Sequence, residues 1–156
     1  MTTSEIQQST GAVQEQQALD FFAAWGRSFD ECCKSFEDLF TENTRWDQRP
    51  VPVLTGPRQA IRFLKFARVT MGLNTIEVEI RRIVSNRDVV LVERVDRLRR
   101  RDGSLIVAAP VVGVLTFSGG ELTHWREYFD SAEFVARSLI NLAGHGAGRL
   151  VRKLRR

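Results

Sequence analysis

An α+β domain is what the sequence predicts, and three observations predict it. Apolar residues recur at the three- and four-residue spacings of helices as far as Met71. After Gly72 they alternate with polar residues as strands require, and after Asp130 the helical spacing returns. At 156 residues the chain fits one domain with a single sizeable core, for which three Trp and ten Phe supply the bulk.

The polar start, residues 1–12, is expected to be a frayed arm. Val13 to Trp25 reads as the first helix, with Leu19, Phe22 and Ala23 on its apolar face and Gly26 ending it. Ser28 or Asp30 can cap a second helix to about Phe40, with Phe29, Cys33, Phe36 and Leu39 as its apolar positions. Two prolines and a closing glycine make TENTRWDQRPVPVLTG a short, irregular or edge strand. Pro57 suits the first turn of a third helix running to about Met71, with Ile61, Leu64 and Val69 facing inward.

Ile76, Val78 and Ile80 then alternate with Glu77 and Glu79, a strand with one wet face. A turn at Ser85–Asp88 leads to a second strand, Val89–Arg99, and Asp102-Gly103 is a hairpin signal. Leu105–Phe117 is a third long strand, in which Pro110 implies a bulge or an edge. Gly119-Gly120 turns the chain into the last strand, Glu121–Phe129. Ser131–Leu142 returns to helix, with Phe134, Val135, Leu139 and Leu142 apolar. The expected domain is therefore 13–143, followed by a basic tail over 144–156. It is cone-shaped: a strongly curved mixed or antiparallel sheet on three N-terminal helices, with a C-terminal helix and a deep apolar cavity.

Composition narrows the function. The net charge is +4, but Arg149, Arg152, Lys153, Arg155 and Arg156 carry five positive charges in the last eight residues, and the remainder stands at −1. A nearly neutral body argues against a nucleic-acid partner. The tail could lie on an acidic membrane surface through Leu150, Val151 and Leu154, or be solvated, or extend a dimer. No apolar run reaches the roughly 20 residues of a membrane span. The start lacks a basic and apolar leader pattern, so a cytoplasmic location is expected. Adjacent Cys32 and Cys33 and the separated His124 and His145 make no metal-ligand pattern. Both cysteines belong to the second helix, at least one of them in the core.

Strand parity brings out the candidate site. Val90, Val92, Arg94, Asp96 and Leu98 share one face of their strand; Trp125, Glu127 and Phe129 share a face of the last. Aromatic and aliphatic neighbours argue that both faces point inward, bringing two carboxylates and an arginine into one apolar interior. Parity alone leaves two readings: a working acid–base site, or a buried ion cluster that fixes strand register.

ERVD at 93–96 and WREYFD at 125–130 resemble the paired motifs of limonene-1,2-epoxide hydrolases. RPVPVLTGPRQAI is similar to that family's proline-containing segment before the third helix, and GVLTFSGGELTHWREYFDSAEF to its last two strands; the likeness covers roughly Leu19 to Phe134. The resemblance implies the nuclear-transport-factor-like cone fold and a one-step addition of water to an apolar epoxide, without metal or cofactor. It implies Glu127 as general base, Asp96 as general acid and Arg94 as the bridge between them. Where the family commonly carries Asp, this chain has Glu127. Where the family positions water with Tyr and Asn, it has Trp46 and Gln48, expected to hold the water by an indole N–H and an amide carbonyl. Val90, Val92, Leu98, Trp125 and Phe129 are expected to line the substrate pocket, with Trp46 at its polar end. Asp47 and Arg49 are expected to point into solvent, and His124, of opposite parity to Glu127, to be exposed or at an edge. The expected partners are a small apolar terpenoid, lipid or polyketide epoxide and a second copy of the chain in a homodimer. Two other readings are an isomerase or cyclase of the ketosteroid-isomerase or SnoaL-like kind, which Arg94 between two carboxylates disfavours, and a non-catalytic binder of apolar ligands.

Overall fold

The structure is a computed structural model that describes residues 3–130 and Ala136, with side chains from Gly11 onward. Three helices, α1 (Thr3–Trp25), α2 (Phe29–Leu39) and α3 (Gly56–Met71), pack against one six-stranded sheet. Its strands are β1 (Phe40–Gln48), β2 (Leu54–Thr55), β3 (Leu73–Asn86), β4 (Val89–Arg100), β5 (Leu105–Ser118) and β6 (Glu121–Tyr128), in spatial order β2-β1-β6-β5-β4-β3. All neighbours are antiparallel except β1 and β6, which run parallel and make the sheet mixed. This is the α+β class expected. The helix expected over Ser131–Leu142, the basic tail over 144–156 and His145 lie outside the described residues. No described helix is long and apolar enough to cross a membrane.

The helices form where capping and periodicity place them. The Ser28 hydroxyl accepts from the Glu31 N–H at 3.1 Å and closes the N-terminus of α2. Gly72, at φ +75°, ends α3 in the left-handed conformation that glycine adopts without steric cost. Two inward positions need correction. From Gln14 on, the buried residues of α1 are Gln14, Ala18, Phe21, Phe22, Ala24 and Trp25, and Ala23 falls on the opposite, exposed side of that stripe. In α3 the buried positions are Gly56, Ala60, Leu64 and Ala67; Val69, two residues past Ala67, turns outward and is 85% exposed. Helix α1 also starts at Thr3 rather than Val13, and its buried Gly11 passes so close to Ser85 at the end of β3 that a Cβ would lie 2.6 Å from the hydroxyl oxygen.

The strands keep the expected alternation. In β4 the buried residues are Val90, Val92, Arg94, Asp96 and Leu98, and no others. On the outer face Glu77 and Glu79 pair with Arg99 and Arg97 at 2.7 and 2.8 Å, which explains the wet side of β3. Such exposed pairs contribute little net stability. Pro110 carries no bulge. It lies beyond the last β5–β6 pair, Val112–Tyr128, where β5 has no described neighbour on that side and a missing N–H costs no ladder bond. The segment expected to be one short or edge strand forms two: β2 is the edge, while β1 is nine residues long and internal.

The core lies between α1, α2 and the inner sheet face, and is largely aromatic. Phe36 is fully buried at its centre, with ring centroids of Phe21, Phe40, Trp46 and Trp25 at 4.9, 5.1, 5.2 and 5.7 Å. Truncating it removes contact with four rings at once. Phe36→Ala is expected to destabilise the fold by about 3–5 kcal/mol, read as a lowered urea midpoint at unchanged slope.

Candidate active site

Arg94, Asp96 and Glu127 meet inside the sheet. Arg94 and Asp96 are two apart on β4 and so share its inner face. Glu127 stands on β6, two strands away, opposite Gly113 of β5 and Gln48 of β1. The Arg94 Nε donates to both Asp96 oxygens, at 2.9 and 3.1 Å, and its Nη2 donates to Glu127 Oε1. Arg94 is 1% exposed, and its guanidinium carbon lies 4.5 Å from the ring centroid of Phe22, 5.6 Å from Trp125 and 5.8 Å from Trp25. The cation is thus held by two carboxylates and by aromatic rings.

Electrostatics follows from burial. Desolvation raises the Asp96 and Glu127 carboxyls above their ordinary range; Arg94 pulls both back down, and the Asp96 charge pushes Glu127 further up. The Arg94 guanidinium stays charged because its two carboxylate partners outweigh its own desolvation.

Trp46 reaches the cluster through the parallel β1–β6 pairing, which sets Trp46 beside Trp125 and Gln48 beside Glu127. The two indoles stack at 4.7 Å between centroids and 1° between planes. The Trp46 Nε1 donates directly to Glu127 Oε2 at 2.8 Å. The expected indole–water contact is therefore corrected: that N–H is spent on the carboxylate. Gln48 is buried, and among the described residues its Nε2 has no partner.

One cavity of about 190 Å³ takes in Arg94, Asp96, Glu127, Trp46 and Gln48 at its polar side. Leu98 and Phe129 line it as expected, although Phe129 lies just past the end of β6. Val90, Val92 and Trp125 do not. They face the same way, but α1 fills that end of the sheet: Phe21 and Phe22 lie against Trp125 at 5.4 and 5.9 Å, and all three predicted residues are 0% exposed. The rest of the wall includes Leu64, expected to face inward on α3, and residues the sequence did not point to, chiefly Phe63, Ala67 and Met71 of α3 and Ala109 and Val111 of β5. The spacing Leu64–Ala67–Met71 and the parity of Val111 opposite Arg94 were the signals available for them.

The remaining polar candidates stand apart from the cavity. Asp47 faces Arg126 at 3.9 Å on the outer side, and Arg49 is exposed. His124 is half-buried rather than exposed, its pKa lowered by burial and by Arg126 and Arg45. Cys32 is buried with its thiol pKa pushed up by desolvation, and Cys33 is half-buried. Among the described residues no three His, Cys, Asp or Glu side chains cluster as metal ligands would.

Solved structures share this architecture. An LEH-like epoxide hydrolase of M. tuberculosis superposes with a TM-score of 0.67 at 22% identity, over 88% of this chain and 98% of its own. A protein assigned as a SnoaL-like polyketide cyclase from Jannaschia sp. CCS1 gives 0.65 at 22%, over 82% and 93%. A protein of ketosteroid isomerase-like fold from Catenulispora acidiphila DSM 44928 gives 0.58 at 19%, over 76% and 88%. At these identities the likeness is one of fold, the nuclear-transport-factor and SnoaL-like cone. The family is shown by the sequence: the profile of the limonene-1,2-epoxide hydrolase catalytic domain matches residues 20–139, well over half of the chain. The chain belongs to the limonene-1,2-epoxide hydrolase family.

Proposed function

We propose that the chain adds water to the epoxide of an apolar molecule in one step and releases a vicinal diol. The observation that carries this reading is the Arg94 bridge between two buried carboxylates at the polar side of an apolar cavity. Two carboxylates and one guanidinium sum to one negative charge, which an apolar interior disfavours. Taking up one proton neutralises the cluster. Among the described residues Glu127 accepts from both Arg94 and Trp46, whereas Asp96 accepts from Arg94 alone. We place the proton on Asp96 and keep Glu127 as the ionised base: once Asp96 is neutral its upward push on Glu127 is gone, and Arg94 and Trp46 both donate to the Glu127 carboxylate.

The chemistry balances on these two groups. Glu127 takes a proton from water as the water oxygen bonds to an epoxide carbon. The ring carbon–oxygen bond breaks, and Asp96 gives its proton to the departing oxygen. Afterwards Glu127 holds a proton and Asp96 has lost one, and transfer between them restores the start. The Gln48 Nε2 beside Glu127, without a partner among the described residues, supports a water at that place, since its N–H can donate to the water oxygen while the water donates to Glu127. Apolar substrate suits the lining, in which α3 and β5 present only hydrocarbon and sulfur.

One observation favours a second reading, a binder of apolar ligands without turnover. The Trp46 N–H sits on the carboxylate that should receive the proton of water. A carboxylate oxygen has two lone pairs, so the bond orients Glu127 without exhausting it.

Assay of the purified protein against a panel of apolar epoxides, with the diol measured by mass, tests the hydrolase reading. Asp96→Asn and Glu127→Gln are each expected to lower kcat at least about a hundredfold, the usual loss for a general acid or base. Diol formation at wild-type rate in either variant contradicts the roles; isomerised or cyclised product instead of diol moves the function to the cyclase type.

Trp46→Phe separates hydrolase from binder. The change keeps most of the ring and removes the donor that favours ionised Glu127. The pKa of Glu127 then rises, so the acid limb of the pH–rate profile should move to higher pH, with kcat down by roughly ten- to a hundredfold for one lost orienting bond. Trp46→Tyr restores a hydroxyl donor of the family type and should recover part of the loss. An unmoved limb and unchanged rate would assign Trp46 to space-filling. No turnover in any variant, with apolar ligand still bound, would favour the binder.

A further inference from the structure

We infer that Gly113 is a positioning residue: the missing side chain at this central strand position is the gap through which the Arg94 guanidinium crosses β5 to reach Glu127.

Arg94 pairs with Val111, while Gly113 lies between Val92 of β4 and Glu127 of β6. Neighbouring strands lie about 4.8 Å apart, so β4 and β6 are separated by about 10 Å. An arginine on β4 that bonds a carboxylate on β6 must lie across the inner face of β5. There the side chains of Val111 and Leu115 point inward with Gly113 between them, all three buried.

The space is accurately filled. A Cβ on Gly113 would stand 2.9 Å from Arg94 Nη1 and 3.2 Å from Trp125 Nε1. At Gly26, by contrast, the nearest atom would be 3.7 Å away, an ordinary contact. Backbone conformation does not explain the glycine, because Gly113 is not among the glycines with positive φ. Glycine inside a strand is disfavoured unless something approaches closely, and what approaches here is the guanidinium. Nor can Arg94 retreat freely. Its Nε is tied to Asp96, its Nη2 to Glu127, and the Phe22 ring lies against it. A methyl group at 113 must push Nη1 away and loosen one of these bonds. Among the described residues the charged groups bonded to Arg94 are Asp96 and Glu127, so their titration reports its position.

The inference rests on the hydrolase reading only for its effect on rate, and the test keeps the two apart. Carboxyl ¹³C NMR titration of Asp96 and Glu127 would be run on wild type, Gly113→Ala, Arg94→Lys and the double variant, alongside epoxide turnover. Gly113→Ala should raise both titration midpoints, because the cation that lowers them withdraws. In the Arg94→Lys background the same change should add nothing, since lysine has no Nη1 to displace. A merely structural effect would appear equally in both backgrounds. Turnover should fall by about ten- to a hundredfold in kcat with KM little changed, the scale of a small displacement of a reacting group. Unmoved midpoints in Gly113→Ala, or equal rises in both backgrounds, would overturn the inference. If Gly113→Ala alone fails to fold, folding of the double variant supports it and failure of both overturns it. A wild type without turnover would end the hydrolase reading while the titration still decides the role of Gly113.

Discussion

The guanidinium of Arg94 joins two carboxylates that would otherwise repel each other in a medium with almost no water. Removing three charged groups from solvent costs several kcal/mol each, and mutual attraction offsets this only when geometry and hydrogen bonding are good. Here Asp96 and Glu127 each have an oxygen on the guanidinium, and aromatic rings lie against its faces. Such a cluster is poor material for stability, since well-packed apolar residues do as well or better at similar volume. Its place in the wall of an apolar cavity is what the proposed function uses. In the proposed hydrolysis the cluster would hold one proton on Asp96 and keep Glu127 ionised.

Much of the surrounding fold answers to that cluster. Phe22 and Trp25 come from α1, Trp125 and Glu127 from β6, Trp46 from β1 and the gap at Gly113 from β5. Mounting a reactive set on strands and a packed helix limits its motion more than loops would. The inner sheet face is divided accordingly. Under α1 and α2 it is solid aromatic core, and beyond Arg94 it opens into the cavity beneath α3.

Parity made the heart of the site legible in the sequence. In β4 a period of two over Val90–Leu98, with no bulge in that stretch of its pairing with β5, leaves Arg94 and Asp96 nowhere to point but inward. Parity says which face a residue occupies but not what covers it, so Val90, Val92 and Trp125 were assigned to a pocket that α1 in fact fills. The Trp46–Glu127 bond was hidden for a different reason. It depends on a parallel pairing between segments 81 residues apart, which no local pattern encodes. The outward turn of Val69 and Ala23 reflects helical phase, which a few apolar residues define loosely and a neighbouring sheet defines well. Nothing in the sequence marks Gly113, because its meaning comes from an arginine two strand positions away on the adjacent strand.

The central claim is that one buried cluster, Asp96–Arg94–Glu127, delivers water directly to carbon. Single-turnover reaction of excess protein with an apolar epoxide in ¹⁸O-labelled water tests it most directly. Direct attack predicts that the first diol formed carries the heavy oxygen and that Asp96 and Glu127, recovered by digestion and weighed by mass spectrometry, carry none. Unlabelled diol in that first turnover, with the heavy oxygen appearing in one of the two carboxylates, would mean that a carboxylate attacked the ring, and would contradict the account.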